Sequence, residues 1–216
     1  MSIKSSAQFL KTNMIVTLML DKINIPSDSF YCTFSNETLD KLSASGLMRR
    51  QKISYKLYLN NRELQLECPM IKNTHHKNAV IWPAIKLPYR KYPVYVYLYA
   101  TALYLSSNLS MRKVALKVRN LFGLDKFSHS TLSRSLKKLA GIVEDLFRIM
   151  AADIPEYDNT SCRDTLVPRR GWDATRQDKY RMLLHIMFPV LDKFQMVEYG
   201  SLLNYRYFKN SMKFLI

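Results

Sequence analysis

Between Ser110 and Leu139 the chain carries Arg112, Lys113, Lys117, Arg119, Arg134, Lys137 and Lys138 against a single acid, Asp125. An anion-binding face requires such a local lack of acids, because every phosphate neutralised by a cation releases condensed counterions. Small hydroxyl residues crowd the same stretch: Ser128, Ser130, Thr131, Ser133 and Ser135. They weaken a helix as pure scaffold, yet they suit contacts to phosphate oxygens and base edges. The chemistry indicated is recognition of a polyanion.

Two helices position these groups. Ser110 is a good N-cap. After it Met111, Val114, Ala115, Val118, Leu121 and Phe122 recur at helical spacing, with Arg112, Lys113, Lys117 and Arg119 on the other face. Gly123 stands where a helix stop belongs. Leu124 to Phe127 make a short turn, and Ser128 or Ser130 caps a second helix. There Leu132, Leu136 and Leu139 share one face, and Ser130, Thr131, Arg134, Lys137 and Lys138 lie on or near the opposite one. Two short helices, the second polar and basic outside, follow helix-turn-helix logic. The second fits a major groove about 12 Å wide. Ser130, Thr131 and Arg134 would read bases, and Lys137 and Lys138 would hold phosphate. Arg112, Lys113, Lys117 and Arg119 would grip the backbone from the first helix. A merely solvated helix face gives a similar charge run; the missing acids and clustered hydroxyls favour recognition.

Leu109-Ser110-Met111-Arg112-Lys113-Val114-Ala115, then Leu121-Phe122-Gly123-Leu124, then Phe127-Ser128-His129-Ser130-Thr131-Leu132-Ser133-Arg134 resembles the helix-turn-helix of bacterial insertion-sequence transposases and their relatives. The resemblance covers about 30 of 216 residues. It implies recognition of transposon ends or related DNA sites. Such transposases also need three carboxylates holding two metal ions, in a domain that would follow the helix-turn-helix. Only about 75 residues follow Leu139, and the acids there, among them Glu144, Asp145, Asp153, Asp173 and Glu198, are scattered and read as surface and cap residues. The expectation is therefore no catalysis.

Other chemistries are also missing. None of the four histidines, His75, His76, His129 and His185, has the Arg three positions on that a tyrosine recombinase needs. Neither a P-loop nor a Gly-x-Ser-x-Gly elbow occurs. Cys68 with His75 and His76 is a metal fragment without a fourth ligand, since Ile71 stands where a Cys-x-x-Cys pair would continue. No metal and no cofactor are expected.

The whole chain agrees with a polyanion partner. It has 33 Lys+Arg against 17 Asp+Glu and a net charge of +16. With 48% hydrophobic residues it can bury a core. The odd set Cys32, Cys68 and Cys162 argues for a reducing compartment. The apolar run Met14 to Leu20 is too short for a membrane span and lacks a cleavage site. The protein is expected to be cytoplasmic, nucleoid-associated if bacterial, and not bound to membrane.

Residues 1–91 read as an N-terminal α+β region, with a β-hairpin at 50–68 turning at Asn60-Asn61 and a short helix over Asn36 to Leu42. Residues 69–93, with Pro69, Pro83, Pro88 and Pro93, read as a connector. Its Lys72, Lys77, Lys86, Arg90 and Lys91, interleaved with Trp82, Tyr89 and Tyr92, would lie along a phosphate backbone, or, the favoured reading, the segment is a solvated loop whose rings dock on the core. Residues 92–151 form the helix-turn-helix domain, opened by a buried helix at Tyr92 to Ser107. Residues 152–216 form a C-terminal helical region. In it Arg163, Arg169, Arg170, Arg176, Lys179 and Arg181 surround Trp172 as solvated surface. A helix from Ala174 to Phe194 kinks near Pro189, and the tail from Tyr199 packs on the core or joins two chains as a homodimer. The fold class is mainly α with a small N-terminal β-hairpin element, α+β, around a helix-turn-helix core.

The favoured function is sequence-specific DNA binding without catalysis. A second reading is a basic interaction or scaffold protein that engages RNA, an acidic partner or anionic lipid. A third is a degenerate transposase subunit.

Overall fold

The computed structural model describes residues 13–17, 23–24, 31–34, 47–59, 62–72, 78–151 and 165–216. The expected helix at Asn36 to Leu42, the turn at Asn60-Asn61, and His75, His76, Cys162 and Arg163 lie outside these residues. The chain divides into two compact units, Met1–Tyr92 and Pro93–Ile216. The helices expected in 92–151 and in 152–216 thus belong to one unit.

The first unit is built on a sheet. Its described strands are β1 (Asn13–Thr17), β2 (Ile23–Asn24), β3 (Tyr31–Phe34), β4 (Leu47–Leu59), β5 (Arg62–Lys72) and β6 (Asn78–Pro83). β4 and β5 form the expected hairpin, in register from Leu59↔Arg62 to Leu47↔Lys72. The alternation that predicts it has a physical result: Leu64, Leu66, Cys68 and Met70 are buried, while Glu63 and Gln65 face water. On the wet face Lys56 pairs with Glu63 at 2.7 Å. The hairpin runs past the expected end at Cys68. Pro69 lacks the N–H a ladder needs, and the register shifts between Arg49 and Lys52, opposite that proline, as a bulge that lets pairing resume.

Among the described residues of the 69–93 segment, 69–72 and 78–93, there is strand and a loop docked on the core, as the docking reading expects for Trp82 and Tyr92, and not a free arm. Asn78–Pro83 pairs in parallel with β1 and antiparallel with the end of β5. Trp82, Ala84, Ile85, Leu87 and Tyr92 are buried. The Trp82 Nε1 donates to the Lys86 carbonyl at 2.5 Å, and its ring meets Tyr55 edge-on at 4.5 Å. Lys86 itself is buried. Of the three aromatics interleaved with the charges, Tyr89 alone is exposed. The prolines punctuate turns; the apolar residues between them decide burial.

The second unit is helical among its described residues: α1 (Val94–Leu105), α2 (Met111–Phe122), α3 (His129–Ala140), α4 (Val143–Ala151), α5 (Ala174–Met187) and α6 (Met196–Ser211). α1 is apolar on every side, so it must be central. Ten of its twelve residues are buried, and α2, α3, α5 and α6 pack around it. Pro93 is its N-cap. The kink expected near Pro189 is a 3₁₀ turn, Phe188–Leu191, that ends α5. The tail forms α6, and Leu215 and Ile216 beyond it are buried, the Leu215 N–H donating to Asn204 Oδ1. Among the described residues no helix is long and apolar enough to cross a membrane.

Candidate nucleic-acid interface

The α2–turn–α3 segment forms with the caps its sequence announces. Ser110 Oγ accepts from the Lys113 N–H, and Ser128 Oγ accepts from the Thr131 N–H at 3.2 Å. Gly123 closes α2 at φ 60°, a left-handed conformation that costs glycine little. The Gly123 and Leu124 N–H groups both donate to the Arg119 carbonyl, satisfying the frayed end.

Apolar residues lock this arrangement to α1. Val114, Ala115 and Val118 are buried from α2, and Leu132, Leu136 and Leu139 from α3. Phe122 packs edge-on against Tyr95 and Tyr99 of α1, at 5.7 and 5.4 Å between ring centroids. In the turn, Leu124 and Phe127 are buried, Phe127 beside Tyr97. The turn is therefore fixed by its own side chains.

Two expectations about faces are corrected. Leu121 is 41% exposed: the tyrosines of α1 take Phe122, and Leu121 lies one residue, about 100°, round the helix. Ser135 is fully buried, its hydroxyl donating to the Thr131 carbonyl, so it is a core residue and not part of a polar cluster.

Arg112, Lys113, Lys117, Arg119, Arg134, Lys137 and Lys138 are all exposed. On α3 Ser130, Arg134 and Lys137 fall at i, i+4 and i+7, opposite the three leucines. Arg134 Nε donates to the Ser130 carbonyl at 3.3 Å, which lays the guanidinium along the outer surface. Thr131 sits on the flank toward α2, its hydroxyl 3.0 Å from Ser128 Oγ. Helical spacing also divides the cations of α2. Arg112 and Arg119 share a stripe with Leu116, whereas Lys113 and Lys117 lie on the other flank. The first stripe, the turn and the start of α3 enclose an open groove of about 540 Å³, lined by Arg112, Ala115, Leu116, Arg119, Asp125, Lys126, Phe127, Ser128, His129 and Thr131.

Sequence reasoning missed two residues here. Leu116, 54% exposed, interrupts the polar side of α2; an apolar residue between two arginines at helical spacing was the available signal. Arg169, expected on the solvated surface, is half-buried. Its guanidinium donates to the carbonyls of Tyr104, Ser107 and Leu109 at 2.7–2.8 Å and lies 3.9 Å from the Tyr104 ring centre. It caps the end of α1 and fixes the link into Ser110, so it helps aim α2. Nothing local marks this role, because its acceptors lie about 60 positions away.

Among the described residues no group of three or more His, Cys, Asp or Glu gathers as a metal site. Comparison with protein-family models, with curated proteins and with solved structures returned no match.

Proposed function

We propose that this protein is a sequence-specific DNA-binding protein that inserts α3 into the major groove and acts by binding rather than by catalysis. The observation that carries the reading is the outward stripe Ser130–Arg134–Lys137 on a helix anchored by three buried leucines. A rigid helix with one long cation among short polar groups matches the donor and acceptor edges displayed there. Arg134 reads a base with Ser130 beside it, and Lys137, Lys138 and the groove-side Arg112 and Arg119 of α2 hold phosphates. The resemblance of residues 109–134 to transposase helix-turn-helix segments adds transposon ends or related sites as the target class. The cysteine usage and a DNA partner together favour the cytoplasm.

Selection from a random duplex library tests this. An enriched motif is expected, repeated with two-fold symmetry if the protein binds as a homodimer. Arg134→Ala should lower discrimination about 5- to 150-fold, since a bidentate base contact contributes about 1–3 kcal/mol. Lys137→Ala should weaken all sequences about equally. Binding without any motif, indifferent to Arg134→Ala, would favour a non-specific partner such as RNA or an acidic protein.

A further inference from the structure

Leu116 is an anomaly on the surface of α2. More than half exposed, it stands between Arg112 and Arg119 in a stripe that walls the 540 Å³ groove. The opposite wall offers the hydroxyls of Ser128 and Thr131 and the side chain of Lys126. Asp125 is the one acid lining it, and its carboxylate accepts from the Lys126 N–H at 2.8 Å. A free anion has no use for an exposed leucine, and an apolar ligand has no use for two guanidiniums. A chain alternating apolar sugar with charged phosphate uses both.

We propose that one strand of a DNA duplex seats its sugar–phosphate backbone in this groove, a deoxyribose packing on Leu116 while Arg112 and Arg119 pair with phosphates on either side. This rests on the DNA-binding reading and makes it sharper. The two arginines are seven residues apart, about 10.5 Å along the helix axis, so they reach different phosphates of the same strand. Thr131 then belongs to the backbone groove and not to the base-reading stripe. Lys113 and Lys117, on the far flank, take no part.

The test uses the full chain and a library-derived duplex, with methylphosphonate replacing one phosphate at a time. Arg112→Ala and Arg119→Ala should each weaken binding about 5- to 10-fold on every sequence and flatten the salt dependence by about one unit of slope. Leu116→Ser should weaken it several-fold at unchanged slope. Lys113→Ala and Lys117→Ala should change it less than 2-fold. Neutral phosphates should weaken binding at adjacent positions of one strand, and there the arginine variants should lose nothing more. Thermal melting checks folding, with Arg112→Gln and Arg119→Gln replacing any variant that fails it.

If the duplex binds but the arginine variants behave like the lysine variants, the groove proposal falls and the DNA reading stands. Stronger occupancy of the groove by polyglutamate than by DNA also overturns the proposal. If no duplex binds at any salt concentration, the DNA reading fails and takes the proposal with it.

Discussion

Lys86 brings an ammonium group into a site that leaves only 4% of the residue exposed, where it donates to the Arg90 carbonyl. Burial disfavours the charged form and lowers its pKa to about 8, with nearby Cys68 opposing the shift. The folded-state value lies below the unfolded one, so the unfolded chain holds more protons between about pH 8 and 10.5. Stability therefore rises with pH across that window and is lost as pH falls through about 8. Lys86→Met removes the penalty. At pH 7 the methionine variant should be the more stable, by at most about 3 kcal/mol, and the gap should close as pH approaches 10.5. Denaturant melts of both proteins from pH 7 to 10.5 measure this; a constant gap means that the ammonium is not desolvated. The same residue shows why a run of lysines is weak evidence for a partner: one of the cations in 69–93 lies inside the fold.

At the scale of elements, the close pair α1 and α6 depends on Gly200. A Cβ there would meet the Tyr95 Cβ at 3.0 Å and its Cα at 3.2 Å, and neither atom can swing aside. Gly200→Ala should gain about 1 kcal/mol of helix propensity and lose about 1–3 kcal/mol to overpacking, for a net loss of up to about 2 kcal/mol. Gly141→Ala is the control. Its backbone is right-handed, and the new Cβ would meet only carbonyl oxygens at 3.4 and 3.5 Å. That change should be neutral or stabilising by up to about 1 kcal/mol. Equal effects at the two sites, read by chemical denaturation, would contradict the close helix contact. The recognition segment follows the same logic: α2 and α3 are too short to stand alone and hold their shape through caps and the aromatic contacts to α1.

For the whole molecule, a net charge of +16 makes association with any polyanion strong at low salt and steeply salt-dependent. The slope then counts the phosphates engaged. If Arg112, Arg119, Lys137 and Lys138 make the contacts, log affinity against log salt should fall with a slope of about −3.6. If Lys113 and Lys117 join them, it should be about −5.4. Titrations between 50 and 200 mM salt separate the two, and a slope near zero would remove nucleic acid as the partner.

The sequence by itself determined what depends on near neighbours. Residue types three and four apart make α2 and α3 amphipathic, and Ser110, Gly123 and Ser128 cap them through atoms a few positions away. Alternation at period two makes the β4–β5 hairpin. The outward cations, including Arg134, were legible for the same reason. What the tertiary structure decided depends on groups far apart in the chain. Asn78–Pro83 becomes a strand because Asn13–Thr17 lies beside it. β5 continues through Pro69 because its partner bulges. Ser135 is buried and Leu116 is not, although both break their local patterns. Arg169 reaches three carbonyls that no sequence window contains together with it. Periodicity states which face a helix offers; only the packed neighbours settle what covers that face and which cations remain together in one groove.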